Sequence, residues 1–255
     1  MTGTTGGDPW FRNYRPAPDA PARLVCLAHA GGSATFYHPV AQALAPDVEV
    51  LAVQYPGRQE RRHEPAAVDL EVLAERIAEA LEPLTDKPYA LFGHSMGAIV
   101  GFEAARRLEA AGRGPVELFV SGRRSPALDR AGDTSQPRTD EQVVAEIRAL
   151  NGTGDGLLDD EEMLEMILPA LRADYGAVRR YQYRPGAPLR CPVTAFTGDA
   201  DPKAAVAEVA RWRELTASRF DLRVLPGGHF FLVDRAAEVL GTVRERLART
   251  PVAAS

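Results

Sequence analysis

A serine between two glycines is the first feature of this sequence that could do chemistry. Residues 93–97 read Gly-His-Ser-Met-Gly, with Ser95 at the centre of a G-x-S-x-G pattern. An apolar run, Tyr89 to Phe92, precedes the pattern, and a segment with helical periodicity follows it. Glycine on both sides favours a sharp strand-to-helix turn, because a Cβ at either position would collide with the adjoining backbone. The pattern therefore predicts a strained turn that exposes the Ser95 hydroxyl as a nucleophile.

A nucleophilic serine needs a base, and the chain offers five histidines. His229 follows the last predicted strand in the run Pro-Gly-Gly-His-Phe-Phe, where two glycines allow the loop to bend toward the serine. We therefore predict that His229 takes the proton of Ser95. His94 adjoins the serine, but neighbouring side chains on a sharp turn point in different directions. The other three histidines precede the serine, and they are His29, His38 and His63.

The base in turn needs an acid that holds its tautomer. Ten aspartates lie between Ser95 and His229, but only Asp199 and Asp201 follow the end of a predicted strand. Asp199 comes directly after the turn glycine Gly198, so we expect its carboxylate to bind the loop backbone. Asp201 lies deeper in the loop, nearer to where a histidine could meet it. On position alone, Asp201 is the preferred acid and Asp199 the alternative.

Acyl transfer also requires N–H donors for the oxyanion that forms on the attacked carbonyl. The N–H of Met96, directly after the serine, is one predicted donor. Residues 29–33 read His-Ala-Gly-Gly-Ser after an earlier apolar run, and their glycines allow close backbone approach. The second donor is predicted to be the N–H of Ala30, with Gly31 as the alternative. The sequence contains no metal-ligand motif and no dinucleotide fingerprint after its first strand.

The elements that must position these residues alternate between apolar runs and helical periodicity. Nearly continuous apolar strands indicate a parallel sheet covered on both faces, and alternation with helices predicts a doubly wound α/β fold. Asp69 is a predicted helix cap, and Gly112 is a predicted helix end. The predicted strands are 23–28, 48–54, 89–92, 117–121, 193–197 and 222–225; the predicted helices include 70–84, 98–111, 204–216 and 235–249.

Residues 123–188 break this alternation, because they hold no convincing strand. Thr139 to Gln142 fits a capping box, and a second helix follows with apolar residues from Leu164 to Tyr175. We predict a helical lid inserted at 123–188 into an α/β core made of 1–122 and 189–255. Helices inserted at the carboxyl ends of the strands of such a sheet commonly cover a ligand crevice. The alternative is a helical subdomain that only adds stability.

Composition narrows the class of protein. The chain has 255 residues, of which 45% are hydrophobic. Its net charge of −5 disfavours a nucleic-acid partner. No apolar run approaches the roughly 20 residues that a membrane span needs. Cys26 and Cys191 both adjoin predicted strands, so we expect buried thiols and no disulfide. Met1 to Asp8 lacks the pattern of a signal peptide, so a cytoplasmic location is expected. No long amphipathic seam is evident, which favours a monomer.

These motifs together resemble type II thioesterases, the stand-alone editing hydrolases of polyketide and nonribosomal peptide synthesis. The Tyr-Pro-Gly-Arg and Gly-Gly-His-Phe-Phe pieces are far more specific than the serine pattern. Ala28 is one departure, because the family often has proline there. The matching pieces cover most of the chain, and they are Leu27–Ala34, Gln54–Arg58, Gly93–Ala98, Gly198–Pro202 and Gly227–Phe231.

The resemblance implies the α/β-hydrolase fold, whose chain order of nucleophile, acid and base matches Ser95, Asp201 and His229. In the family pattern the second aspartate of the Gly-Asp-x-Asp loop is the acid, which supports Asp201. The implied reaction moves an acyl group from the phosphopantetheine arm of an acyl or peptidyl carrier protein to Ser95, and water then releases the acid. The implied enzyme needs no metal or other cofactor of its own, since the carrier brings the phosphopantetheine.

Two other functions stay open at this point. One is an esterase or amidase on the same fold that acts on small acyl substrates, and the other is a ligand-binding protein that has kept a hydrolase scaffold. As a further hypothesis, some loop arginines dock an acidic carrier domain, although a solvated basic surface explains them equally well. These arginines are Arg58, Arg61, Arg62, Arg123 and Arg124.

Overall fold

A single seven-stranded sheet runs through the protein, whose computed structural model describes residues 8–128, 139–150 and 161–249. The strands are β1 (Phe11–Arg12), β2 (Ala22–Leu27), β3 (Val48–Val53), β4 (Tyr89–His94), β5 (Glu117–Ser121), β6 (Val193–Gly198) and β7 (Phe220–Leu225). Their order in the sheet is β1-β3-β2-β4-β5-β6-β7, and all neighbours are parallel except β1, which is antiparallel to β3. This architecture confirms the predicted α/β class.

Helices cover both faces of the sheet, which explains why its central strands are apolar throughout. Leu24 and Cys26 of β2 face the first and last helices, whereas Leu27 contacts the third helix on the opposite face. The helices are α1 (His38–Leu44), α2 (Leu70–Leu81), α3 (Met96–Ala110), α4 (Asp140–Ala149), α5 (Glu161–Arg180), α6 (Val206–Ala210), α7 (Phe231–Asp234) and α8 (Ala236–Ala248).

The predicted helix ends are confirmed by their hydrogen bonds. The Asp69 carboxylate accepts from the backbone N–H of Glu71 at 2.8 Å and of Val72 at 3.2 Å, so it caps α2. Gly112 follows α3 with φ +72°, the left-handed conformation that ends many helices. Thr139 and Gln142 form a reciprocal capping box at the start of α4.

Two elements differ from the sequence prediction. Strand β1 was not predicted, because two residues at a sheet edge are too few to show any periodicity. The helix predicted over 204–216 divides into α6 and a 3₁₀ turn at Arg211–Leu215. Side chains three apart align in a 3₁₀ turn, and this directs both Trp212 and Leu215 into the core.

The segment between β5 and β6 is helical in its described parts, which contain α4, α5 and a 3₁₀ turn at Pro126–Leu128 but no strand. Helices α4 and α5 pack on each other through a small apolar cluster separate from the main core, formed by Val143, Ile147, Leu171 and Tyr175. The predicted domain division and the lid role of 123–188 stay predictions. Residues 1–7, 129–138, 151–160 and 250–255 lie outside the described residues.

Both cysteines are buried and unpaired, as predicted. Within the described ranges, no helix is both long enough and apolar enough to cross a membrane.

Candidate active site

Ser95 occupies a strained turn between β4 and α3. Its backbone has φ +54° and ψ −113°, a conformation that non-glycine residues rarely adopt. A Cβ at Gly93 would lie 2.1 Å from the carbonyl oxygen of Gly97, and a Cβ at Gly97 would lie 2.1 Å from that of Leu27. The Ser95 N–H donates to the Ser121 carbonyl at 2.8 Å, which anchors the turn to β5. The turn exposes part of Ser95 to a cavity of about 700 Å³.

His229 and Asp201 form a buried pair next to this cavity. The Nδ1 atom of His229 lies 2.9 Å from Oδ2 of Asp201 and 3.1 Å from Oδ1. The Asp201 carboxylate also accepts the Lys203 N–H at 2.8 Å, which holds it in place. Because a carboxylate at Nδ1 favours a proton on that nitrogen, the Nε2 atom of His229 is left as a base. His229 lines the same cavity as Ser95.

Asp199 and Asp201 have different partners although only one residue separates them. The Asp199 carboxylate accepts a hydrogen bond from the N–H of Gly227 at 2.9 Å, so it links the loop after β6 to the loop that carries His229. The two loops are in close contact, since a Cβ at Gly198 would lie 2.2 Å from the Gly227 carbonyl oxygen. The geometry therefore favours Asp201 as the partner of the imidazole, and it bears out the expectation that Asp199 binds the loop backbone.

The loop after β2 supplies the opposite wall of the cavity. Ala30 and Met96, the two predicted oxyanion donors, both line the cavity together with Ser95 and His229. The N–H of Gly31, the alternative donor, instead donates to the Asp174 carboxylate at 2.7 Å. The geometry therefore favours Ala30 over Gly31 as the second donor.

Two further histidines, His29 and His94, lie close to His229. His94 is fully buried, and its Nδ1 lies 3.0 Å from the Ser121 hydroxyl. Burial, and then the neighbouring His229, keep the pKa of His94 well below its usual range. Burial, His229 and Arg58 likewise lower the pKa of His29 to about 3. Both rings are therefore neutral at neutral pH.

Helices α4 and α5 cover one side of the cavity with apolar side chains. On the polar side, Lys203 bonds to Glu146 of α4 at 2.9 Å, which joins the Asp201 loop to that helix. An apolar wall opposite a reactive serine suits an acyl chain. The apolar lining from α4, α5 and the residue after α4 comprises Ile147, Leu150, Ile167, Leu171, Tyr175 and Val178.

The structure corrects the docking hypothesis for three of the five loop arginines. Arg58 is 7% exposed and paired with Asp174, and Arg61, equally buried, is paired with Glu64. Arg123 is buried as well, so none of these three can reach a carrier domain without a rearrangement. Arg62 is exposed and Arg124 lines the cavity, and these two remain consistent with docking.

Asp174 is the site residue that sequence reasoning missed. It lies on α5, far along the chain from every motif, and its side chain is 2% exposed. One signal was available, because Asp174 is a lone acid on the face of α5 that carries Leu171, Tyr175 and Val178. A carboxylate on an apolar helix face requires a buried partner. Across the described residues, no group of His, Cys, Asp and Glu side chains is arranged to hold a metal ion.

Comparison with known proteins agrees with this geometry. A family model described as "Thioesterase domain" matches residues 22–247. A Streptomyces griseus protein named "Probable cadicidin biosynthesis thioesterase" is 50% identical over 238 residues, which are 93% of this chain and 66% of that protein. The thioesterase PikA5 of Streptomyces venezuelae is 48% identical, over 94% of this chain and 86% of its own length.

A solved structure gives the same result in three dimensions. The type II thioesterase BorB from the borrelidin biosynthetic cluster superposes with a TM-score of 0.89 at 50% identity, covering 96% of this chain and 100% of that one. The resemblance noted from the sequence motifs is thus confirmed. The chain belongs to the thioesterase family, in its group of type II thioesterases with the α/β-hydrolase fold.

Proposed function

We propose that this thioesterase removes acyl groups from the phosphopantetheine arm of carrier proteins through an acyl-enzyme on Ser95. Its main support is the buried Asp201–His229 pair, whose histidine lines the same cavity as Ser95. The apolar wall from α4 and α5 offers a surface for the acyl chain.

In the first half-reaction, His229 Nε2 takes the proton of Ser95 as Oγ attacks the thioester carbonyl carbon. The carbonyl oxygen becomes an oxyanion, which accepts hydrogen bonds from the N–H groups of Ala30 and Met96. Asp201 stabilises the imidazolium that forms on His229. The C–S bond then breaks, the imidazolium returns its proton to the sulfur, and the carrier leaves as a free thiol.

In the second half-reaction, water replaces the thiol. His229 takes one proton from the water as its oxygen attacks the ester carbonyl of the acyl-enzyme. The same two N–H groups hold the second oxyanion, and Ser95 leaves with the proton from His229. The products are the free carboxylic acid and the regenerated serine.

The substrate class and biological role follow from the relatives. BorB is named as a type II thioesterase of a borrelidin cluster, and another relative is named as a gramicidin S biosynthesis protein. By analogy, this enzyme would clear aberrant acyl units from carrier domains of a polyketide or nonribosomal peptide assembly line. We further propose that it acts as a cytoplasmic monomer with no cofactor, so that size-exclusion chromatography gives one chain and EDTA leaves turnover unchanged.

The direct test is intact-mass analysis of a panel of acyl-loaded carrier proteins after incubation with the enzyme. We expect the acyl mass to disappear and the free phosphopantetheine form to appear, and we expect Ser95→Ala to abolish this while the protein stays folded. Hydrolysis of small acyl esters at matched concentration is the comparison. A clear preference for the esters would make the protein a general esterase, and failure of a fluorophosphonate to label Ser95 would exclude a serine hydrolase.

A further inference from the structure

Arg58 and Asp174 form a buried ion pair beside the site, in addition to the residues assigned to the reaction. Two hydrogen bonds of 2.8 Å join them, from Nη1 to Oδ2 and from Nη2 to Oδ1. The side chains are 7% and 2% exposed. Burial by itself would lower the pKa of the Arg58 guanidinium, but the Asp174 carboxylate outweighs that effect and raises it. The Arg58 guanidinium therefore keeps its proton and donates to the carboxylate.

This pair also binds the backbone of the loop that holds the predicted oxyanion donor. The Asp174 carboxylate accepts the N–H of Gly31 at 2.7 Å, and Arg58 Nη1 donates to the carbonyl of Gly32 at 2.8 Å. The first of these bonds fixes the peptide unit that directly follows Ala30. The Ala30 N–H itself belongs to the preceding peptide, whose His29 carbonyl accepts the Gly32 N–H at 2.9 Å. The turn that carries this donor is thus held by two side chains that are far away in sequence.

Helix α5 touches the same loop at a second point. A Cβ on Gly31 would lie 2.2 Å from Cδ2 of Leu171, so this helix packs directly on the glycine. Leu171 and Asp174 are three residues apart, which puts them on one face of α5. One contact is apolar and the other charged, and together they set both the distance and the orientation of the loop relative to α5.

A buried ion pair adds little net stability, because the cost of removing two charges from water offsets their attraction. Orientation is what this pair can supply, since a bidentate fork restricts both partners. We propose that Arg58 and Asp174 are positioning residues that hold the loop so that the Ala30 N–H points at the developing oxyanion. This inference rests on the proposed serine mechanism and assigns the pair no contact with substrate.

The consequence is that the position of α5 and the geometry of the oxyanion donor are coupled. If α5 shifts away from the loop, Gly31 loses its acceptor, and the turn from His29 to Gly32 that carries the Ala30 N–H is no longer held against the site. The Ala30 donor then no longer meets the oxyanion, although neither Ser95 nor His229 has been changed. The loss is specific to the transition state, because a ground-state thioester carbonyl carries little charge.

The variants that test this are Asp174→Asn and Arg58→Lys. Asparagine keeps the shape and an acceptor oxygen but loses the charge, and lysine keeps the charge but not the fork. With an acyl-carrier substrate, we expect kcat to fall by about 10- to 100-fold in both variants, with KM within about threefold of wild type. Having two variants on different elements keeps the test valid if one of them fails to fold.

A transition-state analogue separates positioning from general damage. The probe is a trifluoromethyl ketone with a pantetheine tail, in which Ser95 Oγ bonds to the carbonyl carbon and the oxygen becomes an oxyanion. The matching alcohol cannot form this adduct. We expect the ratio of the two inhibition constants to drop in the variants by the same factor as kcat, with binding of the alcohol unchanged.

The control variant is Glu49→Gln, which removes the carboxylate charge from another buried arginine pair at the opposite end of the sheet, Arg23–Glu49. We expect it to lower Tm without changing kcat or the inhibitor ratio. If Asp174→Asn and Arg58→Lys also changed only Tm, the pair would be merely structural and the inference overturned.

Failure of the proposed function would look different. A wild-type enzyme that ignored acyl carriers but reacted with fluorophosphonate at Ser95 would refute the carrier substrate. In that case slower labelling of Asp174→Asn than of Glu49→Gln would still support the positioning role, and equal labelling would refute it.

Discussion

The two ends of the sheet each contain a buried arginine–carboxylate pair, but the pairs differ in what they hold. At the amino end, Arg23 and Glu49 lie opposite each other on β2 and β3, 3.0 Å apart from Nε to Oε2. The backbone ladder already aligns these two strands. At the carboxyl end, Arg58 and Asp174 hold a loop that lies outside the ladder of hydrogen bonds between the strands. We therefore expect substitutions in the pair at the amino end to lower the free energy of unfolding, and substitutions in the pair at the carboxyl end to lower kcat.

The largest expected difference within the carboxyl end is between Asp201 and Asp199. Asp201→Asn removes the carboxylate that holds the His229 tautomer, so kcat should fall by about 10⁴-fold with the fold intact. Asp199→Asn is the matched control, because it changes only the acceptor of the Gly227 N–H. Steady-state kinetics of both variants checks this. Activity retained in Asp201→Asn but lost in Asp199→Asn would reverse the assignment.

A second comparison uses two glycines with nearly equal left-handed backbones. Gly31 has φ +76° and faces Leu171, whereas Gly112 has φ +72° and no atom within 4 Å of a new Cβ. Both Gly→Ala changes should cost about 1 kcal/mol in the free energy of unfolding from backbone strain. Only Gly31→Ala should also reduce kcat, by about 10²-fold, because the loop must move away from α5. Equal kcat values in the two variants would contradict the role given to the loop.

At the amino end, Glu117 provides the test of stability without catalysis. It is buried at the start of β5 and accepts hydrogen bonds from Thr194 at 2.6 Å and from Arg219 at 2.6 and 2.7 Å. Glu117→Gln should lower the free energy of unfolding by about 1–3 kcal/mol, since part of this network loses its acceptor. Urea unfolding and kcat are the measurements. A fall in kcat as large as that of Gly31→Ala would remove the distinction between the two ends.

The smallest expected effect concerns the two cysteines. Burial is the main cause that raises the pKa of the Cys26 and Cys191 thiols above the ordinary value, so neither forms a thiolate at neutral pH. A disulfide reagent such as Ellman's reagent should label neither thiol in the native enzyme and both after denaturation, with activity unchanged by the native treatment. Rapid native labelling that inactivated the enzyme would show that the core around β2 or β6 opens.

Local sequence patterns were sufficient wherever a function depends on backbone geometry over a few residues. Glycines on either side of Ser95 predict its turn, because steric exclusion of a Cβ acts between near neighbours in the chain. The helix caps at Asp69 and Thr139 follow from the same kind of short-range bond. The preference for Asp201 over Asp199 came from loop position and the family pattern, and the contact between the two loops in the structure gives the two carboxylates different partners.

The sequence by itself determined the α/β alternation, the sharp turn at Ser95 and the loop of His229. Apolar periodicity and turn-forming residues can both be recognised in short runs of consecutive residues. Only the tertiary structure decided that Asp174 contacts Arg58 and Gly31, that Arg61 is buried, and that the Gly31 N–H donates to a carboxylate. The physical reason is that hydrogen bonds and burial between distant segments depend on how the helices pack on the sheet. Local sequence patterns do not specify that packing directly.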